Sequence, residues 1–284
     1  MISFFNKLAH QIVFRHFFIA ACAVSMVLAT ELLNHSALIY SPYTFFLAGA
    51  TFLIYNFHTE SFFLDFRSTK QLYDSVKDLR LSALDVFFYV FGAAFTLFFF
   101  FELSNEVKLM LIPLGVLTIL YSVPFWGNRR RKLRELLFVK IPLLSLIWSF
   151  TTVILPAVEQ NIDVNSPFVI QQLICRFLFI FALCVPFEIR DVEIDRSKNV
   201  RTIPVVYGTR LTKHSGIVIL LIEMVIHHWM PTSMGVKIAL DLSSVFAIIW
   251  ILMQKEEMSG YFFKVLVDGT MILRFLFLYI AIGL

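Results

Sequence analysis

Long apolar stretches, each closed by a short polar cluster, run the length of the chain. They predict nine helices, over residues 12–33, 41–58, 81–101, 106–123, 136–156, 167–189, 212–230, 235–253 and 261–283. Each is close to the roughly 20 residues that cross a hydrocarbon core of about 30 Å as helix. The polar stretches between them are too short for a soluble domain, and none is low in complexity or linker-like. Residues 1–284 therefore read as a single domain, an all-α bundle of nine transmembrane helices. Lys264, Asp268 and Arg274 interrupt the apolar pattern of the ninth segment.

Composition agrees with the pattern. The 284 residues are 59% hydrophobic and 15% charged, against roughly half and a quarter in an ordinary soluble domain. The net charge of +4 says little in a polytopic protein, where position carries the information. Nucleic acid is excluded as a natural partner. Of the 24 basic residues, all but Lys108, Arg176, Lys237 and Arg274 fall before or at the start of the first helix, or in and beside the loops after the second, fourth, sixth and eighth. Short cytoplasmic loops concentrate Lys and Arg. The expectation is a multi-pass protein of the cytoplasmic membrane, with its amino terminus and those four loops on the cytoplasmic side.

Cysteine adds little. Cys22, Cys175 and Cys184 all lie inside apolar runs, where a thiol behaves as a small hydrophobe, and no disulfide framework or CxxC metal motif is present. Ile19-Ala20-Ala21-Cys22 resembles a lipoprotein cleavage box, but the apolar run continues to Leu33, which reads as a retained helix.

Candidate chemistry gathers where the sixth helix ends. From Phe187 to Pro204 the chain sets Asp191 and Asp195 four residues apart and runs into Arg196, Lys198 and Arg201. Residues at i and i+4 share a helix face. Two carboxylates on one face suit Mg²⁺, a hard cation that takes oxygen ligands and bridges to phosphate, and nearby Arg and Lys suit the remaining phosphate oxygens. The same spacing also marks ordinary interfacial charges. At the end of the second helix, Asn56 and Glu60 repeat the i, i+4 geometry, with Asp65 following. These can face Asp191 across the bundle or form a polar helix end.

The other polar groups are less specific. The basic run from Arg129 to Arg134 suits a topology signal or contact with anionic lipid. Lys140 stands apart, at the start of the apolar fifth helix. His227 and His228 are adjacent, so they point apart on a helix; with Trp229 they read as an interfacial belt.

Asn56 at the end of the second helix, Tyr121-Ser122-Val123-Pro124 at the end of the fourth, and Arg190-Asp191-x-x-x-Asp195 followed by Arg201, Pro204 and Gly208 together resemble the UbiA-type superfamily of intramembrane prenyltransferases. The resemblance covers nearly the whole chain and is most specific over 187–208. It implies a nine-helix bundle around a membrane-facing cavity, with Mg²⁺ as cofactor and a prenyl diphosphate and a lipophilic acceptor, such as an aromatic ring, as partners. It assigns Asp191, Asp195, Asn56 and Glu60 as catalytic and metal residues, with Asp65 as a further metal position. Arg190, Arg201, Lys198, Lys140, Arg129 and Tyr121 fall on the diphosphate side.

One departure stands out. The family's first motif reads Asn-x-x-x-Asp-x-x-x-Asp, and here those places hold Asn56, Glu60 and Leu64. Leu64 cannot ligate a metal, and Asp65 lies roughly 100° further around a helix. A binding protein without turnover is therefore the competing expectation. A secondary transporter is disfavoured because the chain lacks paired broken helices. A phosphatidyl-alcohol transferase is set aside because its Asp-Gly-x-x-Ala-Arg element is missing before Asp191.

Overall fold

The computed structural model describes residues 16–59, 83–122, 138–197, 199–255 and 257–283. Among them all regular structure is helical, and each of the nine predicted segments is a helix. These are α1 (Phe17–His35), α2 (Pro42–Thr59), α3 (Ala83–Glu102), α4 (Asn105–Ser122), α5 (Lys140–Glu159) and α6 (Pro167–Arg190). Two short helices follow, α7 (Val192–Ser197) and α8 (Ile203–Tyr207), and then α9 (Thr209–His228), α10 (Met234–Met253) and α11 (Phe262–Ile282). By length and composition alone, α1, α5, α6, α10 and α11 are able to cross a membrane.

Local signals start these helices where the apolar pattern does. Ser104, Ser166 and Ser233 each accept a hydrogen bond from a backbone N–H three residues on, capping α4, α6 and α10. Pro167 opens α6 at a position where its missing N–H costs nothing.

Burial in the bundle is inverted relative to a soluble protein. Large apolar side chains face outward along α3, α4, α9 and α10, among them Phe91, Phe98, Ile112, Leu221 and Leu242. The interior holds Glu31, Arg176, Glu188, Glu223, His227 and Arg274. Such a surface suits lipid rather than water, and the protein is a multi-pass membrane protein.

Helix α1 is buried on nearly every side and packs against α2, α5 and α11. Around it, α2 packs on α3, α5 on α6, α6 on α9, α9 on α10 and α10 on α11. Gly49 lets α2 approach α3, since a Cβ there would lie 2.3 Å from Thr96 Oγ1. Two helices carry a π turn, Phe150–Ile154 in α5 and Phe262–Val267 in α11. One extra residue per turn shifts the faces that follow it, and such turns gather at functional sites.

One end of the bundle is tied by buried ion pairs. Arg274 donates to Glu223 Oε1 at 2.7 Å, to Ser244 Oγ at 2.9 Å and to Ser243 Oγ at 2.8 Å, and its guanidinium stacks 3.5 Å from the Phe179 ring centroid. His227 Nε2 lies 2.8 Å from the same Glu223 oxygen. The expected interfacial belt thus holds only in part: Trp229 and His228 are exposed, whereas His227 is turned inward. The pairing itself is local, since Glu223 lies one turn before His227 on α9, but the pair faces inward because Ser244 of α10 and Arg274 of α11 answer Glu223.

Candidate functional site

The site is built on one face of α6. Ile180, Leu183, Cys184, Phe187, Glu188 and Asp191 recur at the helical period, and all six line a cavity of about 260 Å³. Its lining is mostly apolar, with Glu188, Asp191 and Asp268 as its carboxylates. Helix α6 ends at Arg190, yet the Asp195 N–H still bonds to the Asp191 carbonyl at 2.9 Å. The i, i+4 register therefore survives the break, and Asp195 stays with Asp191. Asn199, in the left-handed region at φ 55°, then ends α7, and the Val200 N–H closes back on the Asp195 carbonyl at 2.9 Å.

Lys140, the first residue of α5, reaches into these carboxylates. Its Nζ lies 2.8 Å from Glu188 Oε1, 3.4 Å from Asp195 Oδ2 and 3.7 Å from Asp191 Oδ2. Arg190 holds Asp191 from the other side, with Nε 2.8 Å from Oδ1 and Nη2 3.3 Å from Oδ2. The Arg190 guanidinium rests on Phe187 and Phe263, at 5.2 and 4.9 Å from their centroids. Three carboxylates and two tethered cations thus form one cluster, of which Glu188, Asp191 and Lys140 line the cavity.

A second cavity, of about 570 Å³, adjoins the first. The two share Tyr55, Tyr121, Leu144 and Trp148 as wall. The larger chamber is almost wholly apolar, bounded by residues such as Phe46, Phe100, Leu114 and Ile147, with Thr151 and Thr152 turned towards it by the π turn of α5. The π turn of α11 plays a matching part at the smaller cavity, since Asp268 directly follows it and lines that cavity. Among the described residues the Asp268 carboxylate has neither a hydrogen bond nor a salt bridge.

Of the sequence-predicted site residues, the fold brings together Asp191, Asp195, Arg190, Lys140 and Tyr121. Arg201 is exposed. Asn56 is buried on α2, with its amide nitrogen donating to the Phe52 carbonyl at 2.7 Å, and its neighbour Tyr55 is the α2 residue that lines both cavities. Glu60, Asp65, Arg129 and Lys198, and with them Leu64, lie outside the described residues. Sequence reasoning missed Glu188 and Asp268. Glu188 carried a signal, being on the Asp191 face one turn earlier; Asp268 carried only its polarity within an apolar run.

The donor chemistry of the cluster fits Mg²⁺: carboxylate oxygens on one helix face, beside cations suited to phosphate. Among the described residues, no three His, Cys, Asp or Glu side chains close around a metal by themselves. The point on which the α6 and α7 carboxylates converge is held by the Lys140 ammonium.

Over 96% of its length the chain superposes on solved structures of a UbiA homologue from Archaeoglobus fulgidus. The form bound to GPP and Mg²⁺ is 14% identical, with 96% of this chain and 98% of that one covered at a TM-score of 0.55. The form bound to DMAPP and Mg²⁺ is 13% identical, with 96% and 97% covered at a TM-score of 0.53. The chain has the UbiA fold. No protein-family model and no curated protein matches the sequence.

Proposed function

We propose that this protein binds a prenyl diphosphate and transfers its prenyl group to a lipophilic acceptor within the membrane. The observation that carries the reading is the pairing of cavities: a small one lined by Asp191, Glu188 and Lys140 shares the wall of Tyr55, Tyr121, Leu144 and Trp148 with a large apolar one. A diphosphate joined to an apolar chain has that same division of polarity. The UbiA homologue's own complexes, with GPP or DMAPP and Mg²⁺, support it.

Asp191 and Asp195 would hold Mg²⁺, with Asn56, Glu60 and Asp65 as the opposing candidates. Bound there, the metal would draw charge from the leaving diphosphate. Lys140 and Arg190 supply cations to phosphate oxygens, with Arg201, Lys198 and Arg129 as further candidates from the cytoplasmic side. Tyr55, Tyr121 and Trp148 present aromatic faces where the two cavities meet, the place at which positive charge on the prenyl carbon would develop. The low polarity of the chamber keeps water from that carbon.

The test is pyrophosphate release by the purified protein in lipid, supplied with Mg²⁺, prenyl diphosphates of several lengths and a panel of phenolic acceptors. Acceptor-dependent release that is abolished in Asp191→Asn is expected; undiminished turnover in that variant would remove the assignment. The Leu64 departure supports a second reading, a lipid-diphosphate-binding protein without turnover. Tight prenyl diphosphate binding with no acceptor-dependent release selects it.

A further inference from the structure

Buried carboxylates without a counter-ion are costly, and so is a buried ammonium. The cluster at the small cavity meets both costs with one residue. The Lys140 ammonium is within 3.7 Å of Glu188, Asp191 and Asp195 together. Glu188, its closest partner, is almost fully buried, whereas Lys140 and Asp191 keep about a fifth to a quarter of their side-chain surface exposed, at 22% and 25%. Lys140 stands at the first position of α5 on a stem of four carbons, and it lines the cavity that a diphosphate would enter. It therefore has both a resting partner and room to leave it.

We propose that Lys140 selects the metal diphosphate complex over its separate parts by exchanging partners. With the site unfilled, its ammonium occupies the point on which the carboxylates converge, and so competes with a free divalent cation. The same carboxylates hold the ammonium back from a free diphosphate. When metal and diphosphate arrive together, the cation takes the carboxylates and Lys140 moves on to phosphate oxygens. Both halves of the exchange are then satisfied, so metal and diphosphate favour each other's binding, reciprocally. Arg190 keeps Asp191 oriented throughout, through its paired contacts. The inference rests on the diphosphate reading above and adds a loading rule to it.

The experiment is a binding matrix on the full chain in lipid nanodiscs, with Mn²⁺ as the spectroscopically visible divalent cation and inorganic pyrophosphate or geranyl diphosphate as the anion. Lys140→Met is expected to bind Mn²⁺ alone about tenfold more tightly than the wild type, the order of effect for removing one partly screened charge near 4 Å. Its pyrophosphate affinity in the presence of Mn²⁺ is expected to fall by about tenfold on the same reasoning. Because Lys140→Met strands Glu188 and so risks the fold, Glu188→Gln is the second variant. It keeps shape, frees Lys140 from its nearest anchor, and is expected to bind pyrophosphate without metal several-fold more tightly. A lysine with a merely structural role would weaken every arm together. Mn²⁺ affinity unchanged or reduced in a folded Lys140→Met, or no metal-free gain in Glu188→Gln, would overturn the exchange alone. If the wild type binds neither pyrophosphate nor geranyl diphosphate with Mn²⁺ present, the diphosphate reading falls and the exchange with it.

Discussion

At the scale of single residues, the site depends on small groups that hold larger ones in register. Gly269 follows Asp268, and a Cβ there would lie 2.0 Å from the Val265 carbonyl oxygen. No side chain fits without moving the backbone of α11 where the π turn ends. Gly269→Ala is expected to displace Asp268 from the cavity and to lower stability by about 1–3 kcal/mol, the usual range for forced backbone shifts on overpacking. Thermal unfolding and prenyl diphosphate affinity, measured together, check it; a variant indistinguishable from wild type in both would contradict the geometry. Asp191 and Asp195 were legible in the sequence because their relation is local and survives the break between α6 and α7. Lys140 was legible as a cation at the start of an apolar helix and, through the resemblance, as a diphosphate-side residue, but its three carboxylate partners were not, because α6 must pack beside α5 before they meet.

At the scale of elements, the buried ion pairs at the end away from the carboxylate cluster fasten α9, α10 and α11 together. Arg274 and Glu223 are fully buried; removing Glu223 leaves the Arg274 charge with only the Ser243 and Ser244 hydroxyls and the Phe179 ring, whereas removing Arg274 leaves Glu223 still paired with His227. Glu223→Met alone is expected to cost roughly 3–5 kcal/mol and Arg274→Met less, whereas replacing both partners with apolar residues of similar volume is expected to recover much of the larger loss. Urea unfolding of the two single variants and the double variant forms the cycle that checks this; additive losses would show that the pair does not act as a unit. None of this was readable from α11 alone, where Arg274 registered only as an interruption. The apolar period finds a helix but does not say which neighbour will answer a charge on it.

At the scale of the whole molecule, the two adjoining cavities predict a length limit on the prenyl chain. Gly115 lines the larger chamber and has open space where its Cβ would be. Gly115→Phe is expected to fill part of the 570 Å³ without loss of fold. Affinity for short prenyl diphosphates should be kept and affinity for long ones lost, read from a series of increasing chain length. An unchanged length profile would mean that the chain lies elsewhere. The nine helical segments were legible because a helix long enough to cross lipid must be apolar for most of its length. The chamber was not, because five different helices supply its walls.

By itself the sequence determined the all-helical class, the succession of helices, and the paired carboxylates at the end of the sixth. These follow from hydrophobic period, chain punctuation and i, i+4 spacing, all of which act within a few turns of one helix. Tertiary structure alone decided that Lys140 sits among Glu188, Asp191 and Asp195, that Asp268 looks into the same cavity, that Arg274 of α11 meets Glu223 of α9, and that an apolar chamber adjoins the charged cluster. Each of those depends on which helix faces become neighbours. That choice is set by packing around α1 and by the π turns of α5 and α11, and no local pattern in the chain encodes it.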